Sequence, residues 1–221
     1  MIINPILISL KVALISTAFV LVIGVFLARI LTKNNFKGKD IVEVVLLLPM
    51  ILPPSVTGYG LLVLIGRRGF IGKVLYESFG ITVIFTWVAA CIAAAIVSLP
   101  LMYQSCKGAF LNVDTMLENA ARTLGASKRK VFWKITLPLA WPGILSGIVL
   151  TFARALGEFG ATLMVAGNIP GKTQNIPLAI YFAVERGDSR TANILMAIVI
   201  VFSFTVVYGL NLWSKNRHKM V

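Results

Sequence analysis

The stretch Ile6–Leu31, ILISLKVALISTAFVLVIGVFLARIL, decides the fold class. Its only charges are Lys11 and Arg29, near its two ends, and it exceeds the roughly 20 residues a helix needs to cross a bilayer. Four further apolar segments follow at Ile41–Ile65, Gly80–Met102, Leu139–Val165 and Ala192–Trp213. With 58% hydrophobic and 13% charged residues, the chain cannot cover itself with a water-facing shell; its mean hydropathy of +0.89 agrees. We therefore expect an all-α integral membrane protein of five spans, forming one transmembrane domain over residues 1–221. A sixth, shorter segment near 176–184 stays open. The N-terminus has no basic region before its apolar run and no small-x-small cleavage site after it, so the first segment reads as a retained span.

Two segments carry prolines inside. Segment two holds Pro49, Pro53 and Pro54 and must kink or unwind; segment three holds Pro100 near its end. Such breaks persist in lipid only where neighbouring helices or a wet cavity satisfy the freed backbone groups.

The net charge of +13 would suggest nucleic-acid binding in a soluble chain. Here the cations sort by membrane face instead. Arg29, Lys33, Lys37, Lys39, Lys107, Arg122, Lys128, Arg129, Lys130, Lys134, Lys215, Arg217 and Lys219 fall on one side, thirteen in all. Lys11, Arg67, Arg68, Lys73, Lys172, Arg186 and Arg190, seven in all, fall on the other. The excess of Lys and Arg marks the cytoplasmic face and places the N-terminus outside and the C-terminus inside. The loop from about Lys107 to Leu137 is then cytoplasmic. It is helix-compatible over Val113–Leu124, breaks at Gly125 and resumes at Ser127, which fits an N-cap. Read from the residues alone, it is either an interfacial amphipathic loop or a docking element.

Within this loop, Asn119-Ala120-Ala121, then Gly125, then after nine residues Ile135-Thr136-Leu137-Pro138 resembles the EAA loop of ABC importer permeases. The departure is at its start, where Asn119 stands at the Glu position and Glu118 comes one residue earlier. One residue turns a side chain about 100° around a helix, so, if the motif's acidic role is lost here, Glu118→Ala is expected to do less harm than Gly125→Val. The resemblance implies a type I ABC importer permease bundle whose loop forms a coupling helix in a groove of a cytoplasmic ATPase. Glu118, Asn119, Ala120, Ala121, Gly125, Lys128, Arg129, Leu137 and Pro138 are the candidate coupling residues. Small Ala120, Ala121 and Gly125 suit close approach; Lys128 and Arg129 face either the partner or lipid headgroups.

The run from Ala153 to Leu163 (ARALGEFGATL), the run from Ala166 to Thr173 (AGNIPGKT), and Leu52–Gly60 (LPPSVTGYG) resemble permeases of the molybdate group. The similarity covers about Ser9 to Leu212, and sulfate and thiosulfate permeases share part of these motifs. What the resemblance implies is import of molybdate, and of tungstate with it, with a sulfate permease as the rival within the class. It further implies a homodimer, two copies of a separate ATP-binding subunit, an external substrate-binding protein and no cofactor on this chain, ATP-Mg belonging to the partner. A channel or scaffold without any ATPase is the more remote rival.

Ala166–Thr173 also fits a relaxed phosphate-loop pattern. It follows an apolar segment rather than a buried strand, carries Pro170 and falls on the outer face, so a nucleotide site is excluded there. Ser55, Thr57 and Tyr59 lie in the proline-broken stretch, where hydroxyl donors suit a tetrahedral dianion or else bond their own helix. Arg154 and Glu158 are spaced i, i+4 in segment four and read either as part of the pathway or as a buried pair joining helices. Cys91 and Cys106, about 22 Å apart on one helix, cannot form a disulfide. Tail residue His218 is assigned nothing. No metal-ligand spacing and no nucleophile–base set is evident in the sequence, so neither a metal site nor a catalytic residue is expected.

The charge count makes a direct prediction. In a background lacking Cys91 and Cys106, single cysteines at positions 72 and 172 should react with an impermeant thiol reagent added outside, and those at 38 and 127 should not. Reversed labelling would overturn the orientation.

Overall fold

The computed structural model describes residues 2–218, with side chains through residue 209 apart from Val207; the tail residues Lys215, Arg217, His218 and Lys219 therefore lie outside the described side chains. Eleven α-helices follow one another, with no strand among the described residues: α1 Ile3–Lys33, α2 Lys39–Ile51, α3 Pro54–Ile65, α4 Phe70–Phe79, α5 Trp87–Leu111, α6 Thr115–Thr123, α7 Lys128–Val131, α8 Leu137–Leu156, α9 Gly160–Ala166, α10 Ile176–Glu185 and α11 Ser189–His218. A π-helical turn over Phe132–Thr136 joins α7 to α8 without a break, so Lys128–Leu156 is one 29-residue rod. Among the described residues four helices are long and apolar enough to cross a membrane, and Lys39–Ile51 with Pro54–Phe79 makes a fifth if counted as one broken span.

That break sits at the prolines. Leu52 is extended, with φ −68° and ψ 143°, because a residue before proline is driven out of the helical region. Pro54 then occupies the first turn of α3, where its missing N–H costs nothing. The two halves are bent by 116°. Segment two is thus a hairpin-like corner rather than a kinked rod.

Other boundaries move as well. The third span begins at Trp87, not Gly80, with the Thr86 hydroxyl accepting from the Ala89 N–H. The basic stretch after Gly125 is not a separate surface helix but the first part of the α8 rod. Segment four stops at Leu156, and α9 restarts at Gly160. The open sixth segment is helix α10, ten residues and about 15 Å long, half a hydrocarbon core.

The bundle is built around α5, which packs against α1 on one side and α8 on the other. Lipid offers no hydrophobic drive for helices to associate, so close packing of small residues must hold them. Ala89, Ala90, Ala93 and Ala94 of α5 are fully buried. A Cβ added at Gly143 or Gly147 of α8 would fall 2.6 Å from Ala109 Cβ or 2.8 Å from Ser105 Cβ of α5. These contacts run one turn apart along antiparallel helices. Leu7, Leu14, Phe19, Val22 and Phe26 form the exposed, lipid-facing stripe of α1. Two buried serines are satisfied by main-chain carbonyls: Ser98 donates to that of Ala94 at 2.7 Å, and Ser16 donates across to that of Cys91 at 3.0 Å. Cys91 and Cys106 are both free and buried.

Gly147→Leu should force α5 and α8 apart at a cost of about 1–3 kcal/mol, lowering the melting temperature in detergent by several degrees. Gly60→Ala, where a Cβ meets open space, should leave it unchanged. Equal melting of Gly147→Leu and the parent would show that the two helices do not approach so closely.

Candidate functional site

Helix α6 is defined by its caps. Asp114 accepts from the Met116 N–H at 2.8 Å at its start. At its end the Gly125 N–H bonds to the Arg122 carbonyl at 2.9 Å and the Ala126 N–H to the Ala121 carbonyl at 3.0 Å. This Schellman arrangement needs a left-handed residue, supplied by Gly125 at φ +84°. A Cβ there would meet nothing within 4 Å, so the glycine serves the turn rather than a contact inside this chain. Ser127 caps the next helix, accepting from the Lys130 N–H at 3.3 Å.

The two halves of the loop motif meet at Glu118. Its Oε1 accepts from the Thr136 hydroxyl at 2.5 Å, and its Oε2 takes the Lys33 ammonium at 2.9 Å. Arg29 Nη1 lies 3.6 Å from Oε1, and its guanidinium also sits 4.9 Å from the Phe132 ring centroid. One carboxylate thereby ties α6 to the end of α1 and to the turn that begins the α8 rod. Burial pushes the Glu118 carboxyl up, but the hydrogen bonds from Lys33 and Thr136 and the charges of Lys33 and Arg29 outweigh it and hold it below the ordinary carboxylate range. A second pair closes the same end, with Lys107 Nζ of α5 2.5 Å from Glu43 Oε2 of α2.

Turning Glu118 inward turns its neighbours outward. Asn119 and Ala120 are exposed, and so are Lys128, Arg129 and Pro138; Ala121 and Leu137 are half-buried. Leu124 is 87% exposed and Met116 74%. Ala121, Leu124, Gly125, Lys130 and Lys134 rim a hollow of about 310 Å³. Arg29, Lys33 and Thr136 escaped the sequence reading. Their signal was there: a basic i, i+4 pair closing segment one, and a hydroxyl inside the Ile-x-Leu-Pro half of the motif.

The pathway candidates divide. Glu158 is 1% exposed and acts as a corner brace: Oε2 takes Arg154 Nη1 at 2.8 Å, Oε1 accepts from the Ala161 N–H at 2.8 Å, and its carbonyl accepts from Asn175 Nδ2 at 2.7 Å. Arg154 remains about a third exposed. Thr57 is buried on the α3 face that packs α9, whereas Ser55 and Tyr59 lie on the opposite, exposed face. The chain breaks at Leu52-Pro53 and Gly157–Phe159 adjoin, since a Cβ on Gly160 would fall 2.8 Å from Pro54 Cβ. Two interrupted helices meeting at one level are a recurrent transporter feature. Among the described residues no group of His, Cys, Asp and Glu could hold a metal ion.

A helical membrane bundle with an anchored, outward-presenting loop of this spacing defines the class, and the comparisons agree. Residues 20–217 match the family of binding-protein-dependent transport system inner membrane components, and the chain belongs to it. Two relatives match over most of their length. The molybdenum transport system permease protein ModB of Escherichia coli (strain K12) is 49% identical over 203 residues, 90% of this chain and 89% of that protein. The putative molybdenum transport system permease protein YvgM of Bacillus subtilis (strain 168) is 44% identical over 215 residues, 97% and 94%. A probable sulfate transport system permease protein of Chlorokybus atmophyticus is 36% identical, over 92% of this chain and 71% of that protein. A solved chain of the MetNI methionine ABC transporter, in an inward-facing conformation, superposes with a TM-score of 0.74 at 16% identity, covering 98% of this chain and 95% of that one. The fold is that of the ABC importer permeases, and the protein is a multi-pass inner-membrane component.

The contacts of Glu118 make its loss costly for the anchoring of the loop. Glu118→Ala leaves two cations facing each other and a buried Thr136 hydroxyl unpaired, at roughly 2 kcal/mol. Tryptic cleavage at Arg122 and Lys128–Lys130 should quicken on the order of tenfold, because local opening becomes easier. The lowered carboxyl fixes the pH dependence: the clasp is complete above the ordinary carboxylate range and is lost as pH falls through the depressed value. Amide hydrogen exchange in α6, referred to the intrinsic exchange rate at each pH, should therefore rise in the parent under acid while Glu118→Ala stays flat. Equal cleavage of the two at neutral pH would show that the clasp does not hold the loop.

Proposed function

We propose that this chain is the permease subunit of an ATP-driven importer that carries molybdate, and with it tungstate, across the inner membrane. One observation carries the coupling half of the reading. The loop is pinned to the bundle through Glu118 on one side and offers Met116 and Leu124 bare to solvent on the other. Two large apolar side chains held out on a rigid, capped helix are a partner surface. An ATP-binding subunit carried on a separate chain, with its own ATP-Mg, docks there, and this chain binds no cofactor and performs no covalent chemistry. Motion of the docked subunit passes through Glu118 into α1 and the α8 rod together. The excess of cations at the loop end supports a cytoplasmic loop, an outside N-terminus and an inside C-terminus.

The substrate reading rests on the relatives named for molybdenum transport, which match the chain at 44% and 49% identity, against 36% for the sulfate relative. The whole chain works as one transmembrane domain, its core over about 9–212. Ser55 and Tyr59 stand on exposed faces of a single copy and Arg154 is half-buried, so a closed pathway needs a second copy related by a twofold axis. Hydroxyls and a guanidinium blunted by Glu158 let a dianion pass without trapping it. An external binding protein delivers the ion to the face opposite the loop.

The test is reconstitution in liposomes with the cognate ATPase and binding proteins loaded with each ion. Molybdate should accumulate only with ATP, and tungstate should compete. Uptake of sulfate with no entry of molybdate would move the chain to the sulfate branch, and ATP-independent flux would make it a channel.

A further inference from the structure

The lipid-facing stripe of α1 carries a charge that the transport reading does not use. Lys11 is exposed at the centre of the stripe formed by Leu7, Leu14 and Ile15, all three exposed. A lysine on such a face is expensive unless it reaches a polar partner or the membrane surface. Its depth identifies which. From Lys11 to Arg29 is about 27 Å along α1, and from Trp87 to Lys107 about 30 Å along α5. Those spans match a hydrocarbon thickness of roughly 30 Å. Arg29 and Lys107 belong to the loop end, so Lys11 and Trp87 lie at the headgroup level of the opposite leaflet.

At that level the chain forms a hollow of about 570 Å³, whose lining includes Ile8, Lys11, Val83, Trp87, Val88 and Lys172. The Lys11 ammonium sits 3.6 Å from the Trp87 ring centroid. Lys172 enters from the segment between α9 and α10. Among the described residues neither ammonium has a carboxylate within salt-bridge distance. Two cations therefore share one partly apolar hollow beside the exposed stripe of α1, with no carboxylate paired to either among the described residues.

We propose that this hollow binds the headgroup of an anionic phospholipid in the leaflet opposite the loop. The phosphodiester lies between Lys11 and Lys172, the glycerol rests against Trp87, and an acyl chain runs down the stripe past Leu14 and Ile15. The apolar walls favour a lipid phosphate over a free oxyanion, because a soluble dianion would surrender hydration to Ile8, Val83 and Val88 with nothing in return, whereas a lipid brings its own apolar tail to them. A basic pocket at headgroup level is the expected form of such a site. The proposal does not depend on the identity of the transported ion.

The test is native mass spectrometry of the full-length chain in detergent, titrated with dioleoylphosphatidylglycerol or dioleoylphosphatidylcholine. The parent should hold phosphatidylglycerol in preference to phosphatidylcholine. Lys11→Gln with Lys172→Gln should weaken the tightest phosphatidylglycerol by at least threefold, and Lys11→Arg with Lys172→Arg should restore it. Lys37→Gln with Lys39→Gln, at the other end, should leave it unchanged. Lys172→Gln alone, at an exposed loop position, should give a partial loss, so the result does not depend on the double variant folding. A loss of less than threefold in the double variant overturns the proposal. So does displacement of the lipid by millimolar molybdate or inorganic phosphate, which would make the hollow a site for free oxyanions.

Discussion

Glu118 is the point on which the architecture of the loop end turns. A carboxylate that accepts from Thr136 and Lys33 and lies beside Arg29 joins three pieces of chain far apart in sequence. Without it, α6 would be a short amphipathic helix attached only by its neighbours in sequence, and a helix of nine residues has little stability of its own. With it, α6 moves with α1 and with the long rod that ends at Leu156. The outward face can then be apolar and exposed without collapsing onto the bundle, because the inward face is already committed to an ionic, hydrogen-bonded contact.

The same economy of polar contacts appears deeper in the bundle. Glu158 neutralises Arg154, accepts from the first turn of α9 and, through its carbonyl, holds Asn175. Three elements thereby keep a sharp corner between α8 and α9 where helical hydrogen bonds are interrupted. The proline corner between α2 and α3 packs against that corner through Gly160 and Pro54. Interrupted backbone in a membrane must lie against protein or water, and here one interruption shelters the other. Tyr59 and Ser55 are left facing away from the bundle, on the side where a twofold partner would complete a wall.

Between the two ends the packing is of small residues on α5 against glycines on α8 and the flank of α1. This makes the centre a tight three-helix layer, while α2, α3 and α11 lie on its outside with much apolar surface exposed. Apart from the Arg154–Glu158 pair, the charged contacts described above gather at the two ends: Glu118 with its cations and the Glu43–Lys107 pair at one, Lys11 with Trp87 and Lys172 at the other. The distance between these levels equals a bilayer's hydrocarbon core, and that sets how the bundle sits in lipid.

The sequence by itself determined the membrane class, the five apolar segments, and the loop with its capping Ser127 and turning Gly125. These are local properties: run length, composition, and spacings that a single helix or turn reads directly. It also exposed the proline break in segment two, since Pro53 and Pro54 forbid a continuous helix whatever surrounds them. Only the tertiary structure decided what Glu118 does, because the one-residue offset from Asn119 gains its meaning from Arg29, Lys33 and Thr136, which no local pattern connects to it. It alone separated Thr57 from Ser55 and Tyr59, because which face of α3 is buried depends on α9. It alone showed that Lys128 belongs to the same rod as Leu156 and that α10 stops halfway. Helix bends, faces and partners are set by packing across the bundle, and packing is not written at any one position of the chain.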